Sequence, residues 1–182
     1  KKEYKVGILG FGFMGKAHTF GYQTMQLYYD NLPFLMKLGA VATRDEEKGK
    51  ALQQEFGFEY YAADEDRIIN DPNIDIIDIC TPNNMHKDAL IKCIKAGKNV
   101  YCEKPMVLSM EEVAEVKAAM EEYHYDKTAQ VGFHNRYFPT SLRARELIDE
   151  GRIGKVFSFR AAYLHPGSSV GTRPATWRFL PE

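Results

Sequence analysis

A chain of 182 residues can bury a full core for one domain of about 100 to 150 residues, and the remainder is too short for a second domain of ordinary size. With 45% hydrophobic and 27% charged residues the composition is that of a soluble globular protein, and no apolar run approaches the roughly 20 residues that a bilayer span needs. The formal net charge is -1, with lysines and glutamates mixed along the whole chain, so no basic stripe exists to neutralise a phosphate backbone and nucleic acid is not an expected partner.

The chain opens Lys1-Lys2-Glu3-Tyr4 without an apolar leader, although it also lacks an initiator Met, which leaves open a leader already removed. A strand-like run from Tyr4 to Leu9 breaks into Gly10-Phe11-Gly12-Phe13-Met14-Gly15, the spacing G-x-G-x-x-G, and then into helix-forming residues. Gly10 suits the tight turn, Gly12 lets backbone approach a pyrophosphate, and Gly15 lets the new helix pack on the strand. The anion would sit on free N–H groups at the positive end of the helix, so the whole stretch, Phe11, Phe13 and Met14 included, is a candidate nucleotide cradle.

Met14 to about Leu27 is the predicted first helix, and Pro33 blocks its easy continuation. The next strand is Leu38 to Thr43. In the simplest dinucleotide fold an acid at this strand end, about 20 residues beyond the glycines, holds the adenosine ribose. Here Thr43 and Arg44 stand there instead, after an inserted stretch, and a hydroxyl followed by a guanidinium would welcome a 2′-phosphate. NADP is therefore expected over NAD; the competing reading is that Arg44 is merely solvated and Asp45 serves the ribose.

Asp45 through Phe56 has helical spacing and stops at Gly57, Glu59-Tyr60-Tyr61 makes a short strand, and Asp64 caps a brief helix stopped at Asp71-Pro72. Ile74 to Cys80, rich in isoleucine with aspartates interleaved, reads as an inner strand delivering Thr81-Pro82-Asn83-Asn84-Met85-His86 at its carboxyl end. His86, Ala89, Leu90, Cys93 and Ile94 recur at helical intervals up to Gly97. Asn99 to Cys102 is a further strand, ending in Glu103-Lys104-Pro105. Ser109 and Glu112 form a capping box for a helix with apolar face Met110, Val113, Val116, Ala119 and Met120, and Thr128 to Gly132 closes the alternation before His134-Asn135-Arg136.

Alternating strands and helices through residue 134 predict an α/β fold, a Rossmann-like doubly wound parallel sheet, with ligands outside the strand carboxyl ends. The glycine turn, Thr43-Arg44, Thr81 to His86, Glu103 to Pro105 and His134 to Arg136 all fall there. From 135 to 182 the texture changes to the beginning of an α+β antiparallel-sheet domain: one helix (Leu142, Leu147, Ile148, ending at Gly151), then Val156 to His165 in strict alternation with Phe157, Phe159, Ala161 and Tyr163 on one face. Cys80, Cys93 and Cys102 are odd in number and without C-x-x-C spacing, which predicts reduced thiols in a cytoplasmic protein rather than disulfides or a metal site.

Gly10-x-Gly12-x-x-Gly15, Thr81-Pro82-Asn83-x-x-His86, Glu103-Lys104-Pro105 and Asn135-Arg136, in this order and spacing, resemble the Gfo/Idh/MocA oxidoreductases over essentially the whole chain. The resemblance implies an NAD(P)-dependent dehydrogenase acting on sugars, cyclitols or related polyols, a Rossmann domain followed by an open-faced sheet that mediates homo-oligomerisation, Lys104 as active-site lysine, Glu103 beside the nicotinamide, Pro105 in cis, and Trp177-Arg178 on the cofactor side. Removing a proton from a secondary alcohol suits a lysine whose pKa is lowered by burial or nearby cations; salt bridging or phosphate contact are the plainer roles for Lys104, and packing against the loop is the plainer role for His86. The family's second catalytic motif, an Asp and a His after a glycine run, lies beyond Glu182, so a truncated chain is expected. The rival reading is a non-catalytic NAD(P)-binding or sensory module. With its flanking strands absent, the segment from 156 to 165 is expected to be an open-edged strand that self-associates, or else everything after about Arg136 is mobile while residues 1 to 134 stay folded.

Overall fold

The computed structural model describes residues 1–164. Six parallel strands, β1 (Lys2–Leu9), β2 (Phe34–Ala42), β3 (Tyr60–Ala62), β4 (Ile76–Ile79), β5 (Asn99–Cys102) and β6 (Ala129–Val131), form one sheet in the order β3-β2-β1-β4-β5-β6. The crossovers are α1 (Phe13–Tyr28), α2 (Glu46–Phe56), α3 (Glu65–Ile69), α4 (His86–Lys95) and α5 (Met110–Glu122). This is the doubly wound order, with its switch point between β1 and β4. The chain forms two compact units, residues 1–132 and 133–182; among the described residues the second holds the short turn His134–Tyr137 and α6 (Pro139–Asp149).

Helix ends follow the side chains at hand. The Asp45 carboxylate accepts from the Lys48 N–H at 3.0 Å, Asp64 from Asp66 N–H at 2.9 Å, and the Ser109 hydroxyl from Glu112 N–H at 3.2 Å. Glu112 returns to the Leu108 N–H at 2.7 Å, one residue upstream of the cap. Gly57 and Gly97 close α2 and α4 with φ of 78° and 64°, where a Cβ would be strained.

Two apolar layers flank the sheet. Val6, Ile8, Leu38 and Val41 pack with Leu52 and Phe58 on the α1–α2 side, while Leu9, Ala40, Ile77, Ile79, Val100 and Cys102 pack with α3, α4 and α5 on the other. The β1–β2 register shifts between Val6 and Gly7: Val6 faces Leu38 but Gly7 faces Ala40, so Gly39 is the extra, bulged residue. A Cβ on Gly39 would lie 2.4 Å from Ile74 Cδ1, so a larger residue at the bulge would have to displace the end of that side chain.

Several boundaries differ from the sequence reading. β2 begins at Phe34, directly after the helix-stopping Pro33, and β4 is confined to Ile76–Ile79, without Ile74, Asp75 or Cys80. On α5, Val116 and Ala119 are buried but Met110 and Met120 are exposed, so the apolar face is narrower than predicted. The predicted strand at 156–165 is not formed over residues 156–164, and Phe157 and Phe159 are exposed. An alternating segment becomes a strand only when another backbone satisfies its N–H and C=O groups; His165 lies outside the described residues.

Candidate cofactor site

Backbone hydrogen bonds stitch the strand carboxyl ends into one rim: Gly10 N–H to Ala42 O (3.2 Å), Cys80 N–H to Leu9 O (2.8 Å), Glu103 N–H to Ile79 O (2.9 Å), Gly132 N–H to Cys102 O (2.8 Å). The glycine turn, Thr43, Thr81 and Glu103 are thus adjacent along the sheet edge.

Each glycine of the turn has its own requirement. Gly10 has φ 85°, and a Cβ there would crowd Cys80 O at 3.0 Å; a Cβ on Gly15 would sit 2.5 Å from Gly10 O, where α1 crosses the strand end. Gly12 meets nothing within 4 Å, leaving open space over the N-cap of a 16-residue helix whose first turn has no acidic residue and no side-chain cap. The first-turn N–H groups of α1 are therefore free for an anion. The Phe11 ring belongs to the core, 4% exposed and tilted or edge-on to Phe56 and Phe58 at 5.3 and 5.9 Å, which leaves its backbone rather than its ring to the cradle. Phe13, by contrast, is 85% exposed.

At the end of β2, Thr43 is half-buried against α2, and Arg44 is exposed with no ion pair among the described residues. Asp45 is committed to capping α2. Pro82 and Asn83 shape a short turn, with the Pro82 carbonyl accepting from Met85 N–H at 3.0 Å. His86 is fully buried, with Nδ1 2.7 Å from Pro105 O and Nε2 3.0 Å from Thr81 O. The expectation of direct cofactor contact by His86 is corrected: both ring nitrogens are occupied by backbone carbonyls, and the residue ties the Thr81 loop to the Glu103-Lys104-Pro105 turn. The Lys104–Pro105 peptide is cis, as the resemblance implied. Lys104 itself is exposed, so the burial expected of it is not provided by its own neighbours.

Beneath this rim lies a polar cluster that the sequence reading did not single out. The Asp78 carboxylate, fully buried in β4, takes the His18 Nδ1–H at 2.9 Å and the Tyr22 hydroxyl at 3.0 Å, and the Cys80 thiol donates to it at 3.4 Å. His18 Nε2 lies 3.4 Å from Glu103 Oε1, an ion-pair contact too loose for a hydrogen bond, and Glu103 Oε1 is left without a hydrogen-bond donor. Burial alone would push the His18 imidazole down, but the hydrogen bond and charge of Asp78, with the charge of Glu103, outweigh it and raise its pKa above the ordinary value. Burial next to Asp78 pushes the Cys80 thiol and the Tyr22 hydroxyl up, so both stay protonated. His18, Asp78 and Cys80 have potential metal-ligand atoms within 4.8 Å of one another, and in the described structure these groups hydrogen-bond to each other. Only part of this was signalled locally: an aspartate inside an isoleucine strand must find partners, but the fold alone brings His18 and Tyr22 to it.

The arrangement fits a dinucleotide. Gly12 offers room for phosphate, and two buried polar atoms on the rim, Thr81 Oγ1 and Glu103 Oε1, have no hydrogen-bond partner. Asn135 and Arg136 lie in the turn that opens the second unit. Trp177 and Arg178 lie outside the described residues.

Residues 4–133 match the family model GFO_IDH_MocA, described as an oxidoreductase family with an NAD-binding Rossmann fold. The chain is 38% identical over 176 residues to levoglucosan dehydrogenase of Pseudarthrobacter phenanthrenivorans, covering 96% of this chain and 44% of that protein. It is 34% identical to the NAD(+)-dependent scyllo-inositol 2-dehydrogenase of Bacillus subtilis, over 87% of this chain and 44% of the relative. A levoglucosan dehydrogenase structure in complex with NADH and L-sorbose superposes with a TM-score of 0.91 at 35% identity, covering 98% of this chain and 48% of the neighbour. The chain spans less than half the length of these proteins.

Proposed function

The chain belongs to the Gfo/Idh/MocA oxidoreductase family, and we propose that the protein is an NAD(P)-dependent dehydrogenase acting on the secondary alcohol or ketone of a sugar, cyclitol or related polyol. The observation that carries this reading is a single rim joining the open glycine turn at Gly12 to buried Glu103, whose Oε1 has no hydrogen-bond donor, beside Lys104. A bound nicotinamide would supply the hydride acceptor or donor. The turn from Gly10 to Gly15, with the first-turn N–H groups of α1, holds the pyrophosphate, and Thr81, Pro82 and Asn83 form the neighbouring wall. Glu103 orients the nicotinamide end, and the family resemblance adds Asn135, Arg136, Trp177 and Arg178 as expected cofactor contacts. Lys104 takes the proton of the alcohol as it is oxidised and returns it in reduction.

For the adenosine end, an unpaired Arg44 and an Asp45 engaged in capping support NADP(H) over NAD(H), although the solved neighbour carries NADH. Charge-assisted hydrogen bonds are worth roughly 1.5 to 3 kcal/mol, about tenfold to a hundredfold in affinity. Calorimetric titration of both cofactors on this chain tests the preference, and equal or tighter NAD(H) binding reverses it. Three free thiols support a reducing, cytoplasmic setting, and homo-oligomerisation through the C-terminal part is part of the same reading, checked by light scattering of the whole protein.

The activity is tested by nicotinamide reduction across a polyol panel with the whole protein. Lys104→Ala is expected to lower kcat about a hundredfold or more. Undiminished turnover in that variant removes Lys104 from the chemistry, and cofactor binding without turnover on any polyol favours the non-catalytic module.

A further inference from the structure

We propose that His18 is the positioning residue of this site, its imidazole held from behind by Asp78 and in turn fixing the Glu103 carboxylate that leads into Lys104. The inference rests on the reading of the Glu103-Lys104-Pro105 turn as the nicotinamide end.

Glu103 is 5% exposed, and its Oε1 has no hydrogen-bond donor. Among the described residues the one cationic side chain within ion-pair distance of it is His18, with Nε2 at 3.4 Å. The same oxygen also lies close to Gly132, where a Cβ would stand 2.6 Å from Oε1. The imidazole is itself constrained on every side: Asp78 Oδ2 is 2.9 Å and Cys80 Sγ 3.3 Å from Nδ1, and the Tyr101 ring lies 5.1 Å away at an interplanar angle of 36°. Asp78 is fixed in place by the Tyr22 hydroxyl at 3.0 Å. A chain of contacts, Tyr22 to Asp78 to His18 to Glu103, thus runs from α1, just behind the glycine turn, to the turn bearing Lys104. Two buried carboxylates around one imidazole are a costly way to fill a core, and removing the imidazole's charge would leave Glu103 without its cation. The groups facing His18 are Tyr22 from α1, Asp78 and Cys80 from β4 and its end, and Tyr101 and Glu103 from β5 and its end; all but Asp78 and Glu103 are uncharged near neutral pH.

Two measurements on the described chain test this. The His18 ring titration, followed by NMR, is expected to have its midpoint above that of a free histidine and to fall in Glu103→Gln, which keeps the size of the side chain. Binding of NADH and NADPH, followed by fluorescence, is expected to weaken at least fivefold as pH rises through that midpoint, with the step absent in His18→Gln. A midpoint indifferent to Glu103→Gln, or wild-type affinity that stays flat through the midpoint, overturns the proposal; the wild-type profile decides even if a variant does not fold. Loss of the step only in proportion to unfolded protein, read by circular dichroism, would mean a merely structural role and also overturns it. If His18 and Glu103 prove coupled but neither cofactor binds at any pH, the cofactor reading fails while the pairing stands.

Discussion

The two faces of β4 and β5 are opposite in character. Toward α3, α4 and α5, Ile77, Ile79, Val100 and Cys102 meet an apolar layer that includes Ile68, Ala89, Leu90, Cys93 and Val116. Toward α1, the alternate residues Asp78, Cys80, Tyr101 and Glu103 meet His18 and Tyr22. Each residue step along these strands exchanges hydrocarbon for a hydrogen-bonded polar cluster. The apolar face stabilises the domain by removing surface from water, whereas the polar face holds a carboxylate in a fixed place at the rim, where an apolar packing of equal volume would have been at least as stable.

The sharpest test of this contrast is on the apolar face. Ile79→Ala, at a fully buried position, is expected to cost about 2 to 5 kcal/mol in urea unfolding while leaving the pH dependence of stability unchanged. On the polar face, Tyr22→Phe removes a hydrogen bond to the Asp78 carboxylate without opening a cavity and should cost roughly 1.5 to 3 kcal/mol by the same measurement, with a shifted His18 titration. Next comes pH itself. The folded-state pKa of His18 is raised, so its stabilising contribution is complete below the unfolded value near 6.5 and is lost as pH rises through the higher folded value. Unfolding midpoints followed from mild acid to mild alkali should therefore fall, and His18→Gln should flatten that fall; a rise with pH would mean that burial, not Asp78 and Glu103, dominates the imidazole. The smallest effect is expected at Arg44, where Arg44→Ala should change stability by no more than about 0.5 kcal/mol and act on the ratio of NADP(H) to NAD(H) affinity instead.

What was legible in the sequence follows the same division. The apolar face of α4 was read correctly in all five positions, because helical periodicity reports burial directly. The glycine turn was legible because each of its glycines answers a local constraint. The polar cluster was not, since His18 and Asp78 are 60 residues apart and no local pattern says that a histidine behind a glycine turn will meet an aspartate from an inner strand. The burial of the Phe11 ring was not legible for a similar reason: it depends on Phe56 and Phe58, which only the fold brings to it. The strand at 156–165 had the right alternation, but alternation specifies a face and does not supply a pairing partner.

The bulge at Gly39 works as a phase shifter. Counted residue by residue from Leu38, simple alternation would put Ala40 with Leu38 and Val41 opposite; the extra residue absorbs one step, so Leu38 and Val41 both join the α1–α2 layer while Ala40 and Ala42 join the other. Thr43, one step on, therefore follows the phase of Val41 and lies against Gly49 of α2. A chain lacking Gly39 would run from Leu38 to Ala40 in plain alternation and keep every later side chain on its present face, whereas loss of any single residue between Ala40 and Ala42 would turn Thr43 to the opposite side of the sheet. The face that Thr43 presents at the adenosine end is thus set by the residue count after the bulge, from Ala40 onward, and not by the bulge itself.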